Sequence, residues 1–593
     1  MSRLKVVAMV LVCAVLVMES SKFEVMAETT NDYVKYEESI EAEEVISEEK
    51  KISEELEEKL ADMSDKESIL VVIQLKDSID IITLENSSYS AAKLDREKFE
   101  EKQNIAKKMN DIDNEIYQQE LIAEYDKVKD SYNRSLVAYY TELCRTFIEE
   151  NNLEKNIAES YFSPFIESVM LTKKEIYSMA EDNDVEKIYY HNISFMGKNY
   201  DDINNTYRAI GGDTAINNGY KGSGIKVGII EMHNPISSKM GSDSTNVINV
   251  RTTSGDNHTT IVAGIIKKFA PNCTIYSFGV NSEEEAIGAI ETLITHYNVH
   301  VINISYGDDS DNGLYDTYSN RTDYLAYKYR IPIVVSSGNS KSYQDSLNNL
   351  CMGPNIIAVG AVESSGNSLK TAVFKYWKTE GRANSAYKEG ADVKDSNAGK
   401  VVINKPDVCA PGVVTIYGIS DQGTSFSTPH VTGTIVQMMS RNSGMIGKPE
   451  ALKAALIASA HFKANSNGEK YGYIVNTNNL MSDLLGAGVI DSDFCYRVAR
   501  NGRQATFVIN SSMAETNTTY LSKQVWVDTV DKPFRVAVSW SASHYYNTGQ
   551  PYCNDYDVRI YKDGEIVATS NAWTNSTTEK NTNCEVIELT KQC

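Results

Sequence analysis

The sequence has no excess of basic residues, and this argues against one class of function. Its 593 residues include 58 Lys and Arg against 81 Asp and Glu, which gives a formal net charge of -23 at pH 7. Charge of this sign opposes non-specific attraction to nucleic acids and to anionic membranes. We therefore expect no nucleic-acid partner. The length predicts two to four domains.

The N-terminus lacks an apolar run long enough for a membrane anchor. The run from Val6 to Met18 is shorter than the roughly 20 residues that span a bilayer. Arg3 and Lys5 precede this run, and Val25-Met26-Ala27 follows it as a small-residue ending suited to signal peptidase. We expect residues 1–27 to be a signal peptide and the protein to be secreted, with no stable membrane anchor. An uncleaved anchor is the alternative.

The sequence also lacks two cysteines at CxxC spacing. The nine Cys residues contain no CxxC pair, which excludes a zinc ribbon and a dithiol redox motif, and their spacing fixes no disulfide connectivity. Cys553 and Cys584 flank one predicted β-unit and are candidates for a bridge. Cys409 lies in an apolar stretch and is expected to be a buried, small hydrophobic residue.

The region before residue 200 predicts a leader and a small α/β unit. Residues 28–66 are rich in Glu and Lys and predict a solvated acidic leader. Residues 67–200 combine two apolar strands with helical periodicity, and the longest helical stretch is a charged insertion. The predicted elements are a strand at Ser68 to Leu75, helical structure from Lys93 to about Asn151, a helix at Lys173 to Glu181 and a strand at Val185 to Tyr190.

Short apolar strands alternate with helical segments from Gly224 onward, which predicts an α/β domain with a doubly wound parallel sheet over residues 201–491. Active sites in such sheets gather at the carboxyl ends of the strands. The predicted strands are Ile225 to Ile230, Thr274 to Phe278, Val299 to Ile304, Pro332 to Ser336 and Ile356 to Val359.

Alternating strands take over in residues 492–593 and predict a β-sandwich domain. The last predicted strand, Glu585 to Leu589, has no evident partner, so a truncated domain is the alternative.

The strongest chemical signal surrounds Ser425. The run Gly423-Thr424-Ser425-Phe426-Ser427-Thr428-Pro429-His430-Val431-Thr432-Gly433 leads into an apolar helix. A Ser at a helix N-terminus places backbone N–H groups beside the charge that develops in acyl transfer. Taken alone, such a Ser is usually a helix cap.

The run resembles the nucleophile motif of the subtilisin family of serine proteases, the subtilases. Two more blocks precede this run, and the three occur in that family's order. The two blocks are Val227-Gly228-Ile229-Ile230-Glu231 and His258-Thr259-Thr260-Ile261-Val262-Ala263-Gly264. The resemblance implies a subtilisin-like fold in which Ser425 is the nucleophile, His258 the general base and Glu231 the acid that orients it. It also implies that His430 serves only in packing.

Two positions depart from the family pattern. Glu231 stands where subtilases carry Asp, and the residues after His258 are Thr-Thr-Ile instead of Gly-Thr-His. Glu is one methylene longer, which adds about 1.5 Å of reach. Asp243 and Asp256 are alternative acids, although neither follows an apolar strand. The departure keeps a second function open: a catalytically impaired pseudoprotease that acts as a secreted peptide-binding protein.

Two further blocks resemble the oxyanion and substrate-binding segments of subtilases. Ile333-Val334-Val335-Ser336-Ser337-Gly338-Asn339 ends in the residue that would donate to the oxyanion, Asn339. Val301-Ile302-Asn303-Ile304-Ser305-Tyr306-Gly307 is similar to the edge that pairs with an extended substrate. The resemblance therefore implies a cleft lined by Ser305, Tyr306, Gly307, Ser336, Ser337 and Gly338.

Residues 67–200 resemble subtilase propeptides at their two ends, and the helical insertion is a departure. The resemblance implies a self-processing proenzyme whose own propeptide is an intramolecular inhibitor, with cleavage between His191 and Ile216. It implies protein or peptide substrates and no organic cofactor. Subtilases often hold Ca²⁺ through loop oxygens that have no compact sequence signature, so Ca²⁺ is a candidate ligand and its residues are unassigned.

Overall fold

The computed structural model of the protein describes residues 10–16, 22–29, 51–61, 63–65, 67–106, 111–153, 163–190, 204–307, 313, 315–339, 347–365, 373–376, 388–392, 402–461, 485–499, 504–509, 520–526, 534–544, 551–552, 556–562, 565–570 and 583–589. Strands β1 (Val10–Leu16) and β2 (Lys22–Thr29) open the described part of the chain.

Residues 51–190 form an α/β unit around a three-stranded antiparallel sheet, in which β3 lies between β4 and β5. The predicted strands occur at the expected positions, whereas the long helical stretch consists of two helices. A capping box between Thr172 and Glu175 begins the short helix α5. The elements are α1 (Glu54–Ala61), β3 (Ser68–Leu75), α2 (Ile81–Ala91), α3 (Arg96–Ala106), α4 (Asp111–Glu150), β4 (Phe165–Thr172), α5 (Lys173–Ala180) and β5 (Val185–Tyr190).

The next region contains an eight-stranded sheet with the order β14-β13-β12-β11-β6-β10-β8, and β17 pairs beside β13. Its pairings are parallel except that between β13 and β14. The elements up to residue 336, in chain order, are α6 (Asn204–Ala209), α7 (Asp213–Asn217), β6 (Lys226–Glu231), β7 (Asn234–Pro235), α8 (Ser237–Met240), β8 (Val247–Arg251), β9 (Gly255–Asp256), α9 (Asn257–Phe269), β10 (Thr274–Gly279), α10 (Glu283–Thr295), β11 (Val301–Ile304), α11 (Thr317–Lys328) and β12 (Ile333–Ser336). They are followed by β13 (Ile357–Ser365), β14 (Val373–Tyr376), β15 (Lys388–Asp392), β16 (Val402–Lys405), β17 (Val408–Pro411), β18 (Val413–Ile416), β19 (Ile419–Gln422), α12 (Thr424–Arg441), α13 (Pro449–Ser459) and α14 (Ser492–Ala499).

The two faces of this sheet belong to two separate hydrophobic cores. Successive side chains of a strand point to opposite faces, so Val227 and Ile229 pack with α9 and α12, while Ile230 packs with α10 and α11. Helices therefore cover both faces, which confirms the predicted α/β fold with a parallel sheet. The second core is continuous with the N-terminal unit, because Val72 and Tyr140 belong to it.

The C-terminal region contributes to two four-stranded antiparallel sheets, β20-β1-β22-β27 and β21-β2-β25-β26. The expectation that the last strand lacks a partner is wrong, since β27 pairs with β22 along its length. The elements are β20 (Gln504–Ile509), β21 (Tyr520–Trp526), β22 (Phe534–Trp540), β23 (Ser543–His544), β24 (Pro551–Tyr552), β25 (Tyr556–Lys562), β26 (Glu565–Ser570) and β27 (Cys584–Leu589).

Strands β1 and β2 each occupy an inner place in one of these sheets. β1 lies between β20 and β22, and β2 lies between β21 and β25. Cleavage after Ala27 would remove β1 and most of β2. The signal peptide at residues 1–27 stays a prediction.

Six described cysteines are buried, namely Cys144, Cys273, Cys351, Cys409, Cys495 and Cys584. The candidate bridge between Cys553 and Cys584 stays a prediction, because Cys553 lies outside the described residues. Cys409 packs in the first core as predicted. Among the described helices, none combines the length and the apolar character that a membrane span requires.

Candidate active site

The carboxyl edge of the parallel sheet brings the predicted site residues together. Glu231 is the last residue of β6, Ser305 directly follows β11, and Ser336 is the last residue of β12. Helices α9 and α12 start at the same edge and carry His258 and Ser425 in their first turns. The fold therefore gathers residues that lie up to 194 positions apart in the printed sequence.

Glu231 and His258 form a direct pair. Oε2 of Glu231 lies 3.3 Å from Nδ1 of His258, and the carboxyl group is only 2% exposed. The Phe426 ring packs against the imidazole with a centroid distance of 4.9 Å. A carboxylate at Nδ1 fixes the tautomer in which Nε2 is free to accept a proton, so the longer Glu reaches the place that this chemistry requires.

Burial and charge set the protonation of this pair. Burial opposes the charged form of His258, but the negative charge and hydrogen bond of Glu231 outweigh it and raise the pKa of His258 to about 9. Burial also raises the pKa of Glu231 above its ordinary value, and the neighbouring His258 opposes that rise. The imidazolium is therefore the favoured form at neutral pH.

The two alternative acids have other roles. Asp256 is the N-cap of α9, and its carboxyl accepts the Thr259 backbone N–H at 2.8 Å. Asp243 accepts the Tyr417 hydroxyl at 2.7 Å. Neither geometry is that of a partner to the imidazole, which leaves Glu231 as the acid that contacts His258.

Ser425 is the second residue of α12. The preceding Gly423 has φ of +150°, and a Cβ there would lie 3.1 Å from the Asn339 carboxamide, so glycine is required at this turn. The Ser425 hydroxyl donates to the Ser305 carbonyl at 3.0 Å. The first-turn N–H groups of a helix have no intrahelical acceptor, and Ser425 lies in the first turn of α12.

The carboxamide of Asn339 is held by Thr424. Its Oδ1 accepts the Thr424 backbone N–H at 2.8 Å and the Thr424 hydroxyl at 3.0 Å. Since the oxygen is used in this way, the Nδ2 group is the part of this carboxamide that remains to donate. A preorganised amide N–H is a group that can stabilise an oxyanion.

A series of buried, hydrogen-bonded polar side chains leads from α12 to Ser305. Thr432 donates to Asn303 Oδ1 at 2.9 Å, and Asn303 Nδ2 donates to the Ser305 hydroxyl at 2.9 Å. Hydrogen bonding from the same hydroxyl opposes the rise in the pKa of Glu231. This series therefore links α12 to the acid across the sheet. Sequence reasoning missed Asn303, Thr424 and Thr432, although all three lie inside the motif blocks.

The predicted cleft residues fall on two neighbouring segments at this edge. Tyr306 is 3% exposed, and its carbonyl accepts Asn348 Nδ2 at 2.7 Å. The Ser337 backbone N–H donates to Val359 at 3.0 Å. The residues after β11 are Ser305, Tyr306 and Gly307, and those at the end of β12 are Ser336, Ser337 and Gly338.

His430 lies in the interior of α12, one turn after Phe426. Its Nδ1 is 2.7 Å from the Phe426 carbonyl, and burial lowers its pKa to about 4. A neutral ring packed against Phe269 agrees with the packing role expected of it. For metals, the described residues contain no group of three or more His, Cys, Asp or Glu side chains that could hold an ion.

Comparison with known proteins gives one family match. Residues 213–489 match the model of the subtilase family, peptidase S8. A search of curated proteins returns no match. Among solved structures, the prenylagaramide maturation protease PagA is 20% identical, with 49% of this chain and 98% of that chain covered and a TM-score of 0.36. The patellamide maturation protease PatA is 20% identical, with 47% and 98% covered and a TM-score of 0.34.

Proposed function

We propose, from the subtilase-family domain at residues 213–489, that the protein is a secreted serine endopeptidase made as a self-processing proenzyme. The observation that carries this proposal is the convergence at one sheet edge. The Glu231 and His258 pair, the Ser425 hydroxyl at a helix N-terminus and the Asn339 carboxamide held by Thr424 lie together there. These are the parts that acyl transfer needs.

The reaction follows from these positions. The Ser425 hydroxyl turns from the Ser305 carbonyl to His258, gives its proton to Nε2 and adds to the substrate carbonyl carbon. Asn339 Nδ2 and the Ser425 backbone N–H stabilise the oxyanion. His258 then protonates the leaving amine, and the peptide bond breaks to leave an ester on Ser425. Water attacks this ester with His258 as base, which releases the acid product and restores the hydroxyl. These groups complete the reaction without an organic cofactor.

The substrate is an extended stretch of protein. Residues Ser305 to Gly307 follow β11 directly, and an extended peptide adds to such a segment through backbone hydrogen bonds. Residues Ser336 to Gly338 form the opposite wall, where small side chains leave room for one side chain of the substrate. We place the residue before the cut bond between these two segments.

Residues 67–200 are the proposed propeptide and inhibitor. Their sheet packs on α10 and α11 through buried polar contacts, which include a 2.6 Å ion pair between Asp77 and Lys328 and a 3.1 Å hydrogen bond from Asn320 to Gln74. Processing between His191 and Ile216 would cut the chain between this unit and the peptidase domain. That segment includes residues outside the described part of the chain.

The test is to express the full chain and a Ser425→Ala partner in a secreting host and to follow their sizes over time. If only the parent chain is cut between residues 191 and 216, it is a self-processing peptidase. If both chains stay uncut, and neither cleaves a denatured protein substrate although both are folded by circular dichroism, the pseudoprotease function replaces it.

A further inference from the structure

Helix α4 contacts the peptidase domain far from the active site. Its partners Lys226 and His300 lie at the amino ends of β6 and β11, whereas Glu231 and Ser305 lie at the carboxyl ends. Lys226 lies five positions before Glu231, which is about 16 Å along a strand. Helix α4 therefore packs at the amino ends of the strands and not at the cleft.

A partly buried polar cluster joins α4 to the amino ends of these strands. Asp126 Oδ1 lies 2.6 Å from His300 Nε2, and Asp126 Oδ2 accepts from Lys226 Nζ at 2.5 Å. His300 Nδ1 accepts the Lys226 backbone N–H at 3.2 Å, so the ring is the neutral tautomer that donates from Nε2. The His300 side chain is fully buried. Without Asp126, a buried N–H and an ammonium group lose this acceptor.

Helix α4 also caps the two helices on this face. Asn133 Nδ2 donates to the Ile294 carbonyl at 3.0 Å, in the last turn of α10. The Tyr132 hydroxyl donates to the carbonyl of Lys328, the last residue of α11, at 2.7 Å. Carbonyl groups at a helix C-terminus have no intrahelical partner, so α4 supplies donors that the peptidase helices need. Lys129 donates to the nearby Val299 carbonyl as well.

A further hydrogen bond, in which α4 supplies the acceptor, lies next to the end of α12, the helix that carries Ser425. Gln118 Oε1, near the start of α4, accepts the backbone N–H of Ser443 at 2.6 Å, just past the end of α12. Helix α4 is thus hydrogen-bonded to α10, to α11 and to the residues just after α12. Separation of the two units would break these hydrogen bonds and leave the backbone groups with water in place of their α4 partners.

We propose that α4 makes residues 51–190 a permanent non-covalent subunit, so that hydrolysis of the connecting segment yields a two-chain peptidase and not a free peptidase domain. This inference rests on the proposed function for the cut itself. The three-stranded sheet β4-β3-β5, which belongs to the proposed inhibitor, and helix α4 are then two parts of one unit. The cut divides the chain after β5, and the unit stays bound at the amino ends of β6 and β11.

The experiment uses an added protease, so that it does not depend on self-processing. A recognition site for a sequence-specific protease is placed between residues 192 and 203 of the full Ser425→Ala chain. After cutting, we expect both fragments in one peak of size-exclusion chromatography at pH 7.5 in 0.5 M salt. Separate elution of two folded fragments would overturn the proposal.

Variants of α4 test whether this helix holds the subunit. Asp126→Asn is expected to speed dissociation of the cut complex about a hundredfold, because it removes the charge that pairs with Lys226 and weakens the acceptor of the buried His300. Tyr132→Phe keeps the ring and is expected to speed dissociation about tenfold. Glu142→Gln is the control, since Glu142 is exposed on the same helix. Equal dissociation rates for Asp126→Asn and Glu142→Gln would contradict the proposed role of α4.

The two proposals fail in different ways. If the parent chain does not process itself but the cut fragments stay together, the proposed function is wrong and the subunit inference holds. If the parent chain processes itself and its N-terminal fragment leaves at neutral pH, the function holds and the subunit inference is wrong.

Discussion

Glu231 extends from the end of β6 to within 3.3 Å of His258, and the strand position is matched to this length. Glu231→Asp withdraws the carboxylate by about 1.5 Å. We expect kcat to fall about a hundredfold, because a displacement of that size misaligns the imidazole. Glu231→Gln keeps the length but removes the charge, and a larger loss of about ten-thousandfold is expected. Steady-state kinetics on a peptide substrate measures both, and an aspartate variant as active as the parent would be inconsistent with this geometry.

The same pair predicts an alkaline pH dependence. The pKa of His258 is raised to about 9, and the base must be neutral to accept the Ser425 proton. The value of kcat/KM is therefore expected to rise with pH through 7 and 8, with its midpoint near pH 9 and a plateau above it. In Glu231→Gln the charge that raises this pKa is gone, so the midpoint is expected to move to lower pH. A parent profile with its midpoint at 6.5 would show that Glu231 does not pair with His258 in solution.

At the scale of elements, the start of α12 sets the geometry of the catalytic centre. Gly423→Ala places a Cβ against Asn339 at a φ of +150°, so we expect kcat to drop at least tenfold through displacement of the oxyanion donor. Gly288→Ala is the matched control, because Gly288 lies within α10 with open space around it. That control is expected to keep full activity and to gain about 0.5–1 kcal/mol in free energy of unfolding. Kinetics and thermal melting separate the two.

Local elements follow closely from sequence patterns, whereas long-range contacts do not. The predicted strands from Ser68 to Leu75 and from Val185 to Tyr190 occur at those bounds, because the apolar pattern of a strand is visible in its own sequence. The contact of Asp126 with His300 joins residues 174 positions apart, and no periodicity encodes it. Similarly, a motif identified Ser425 and Asn339, but the role of Thr424 required knowledge of where its backbone N–H points.

At the scale of the whole molecule, the two C-terminal sheets each include one strand from the N-terminus, β1 or β2. Cleavage after Ala27 is the expected event in a secreting host, and the exported chain should then begin at Glu28. This would remove β1 from between β20 and β22 and leave only Glu28 and Thr29 of β2. Intact mass measurement and N-terminal sequencing of an exported Ser425→Ala chain report the first residue. An exported chain that begins at Met1 would instead retain both strands.

The central claim is that Ser425 is a nucleophile activated by His258 and Glu231, and one measurement tests it directly. The full chain is treated with a fluorophosphonate probe, and the modified peptide is identified by mass spectrometry, beside Ser425→Ala and His258→Ala chains. We predict labelling on Ser425 in the parent, none in the alanine variant at that position and strongly reduced labelling in His258→Ala. Absence of label from a folded parent chain, or label on another serine, would contradict the claim.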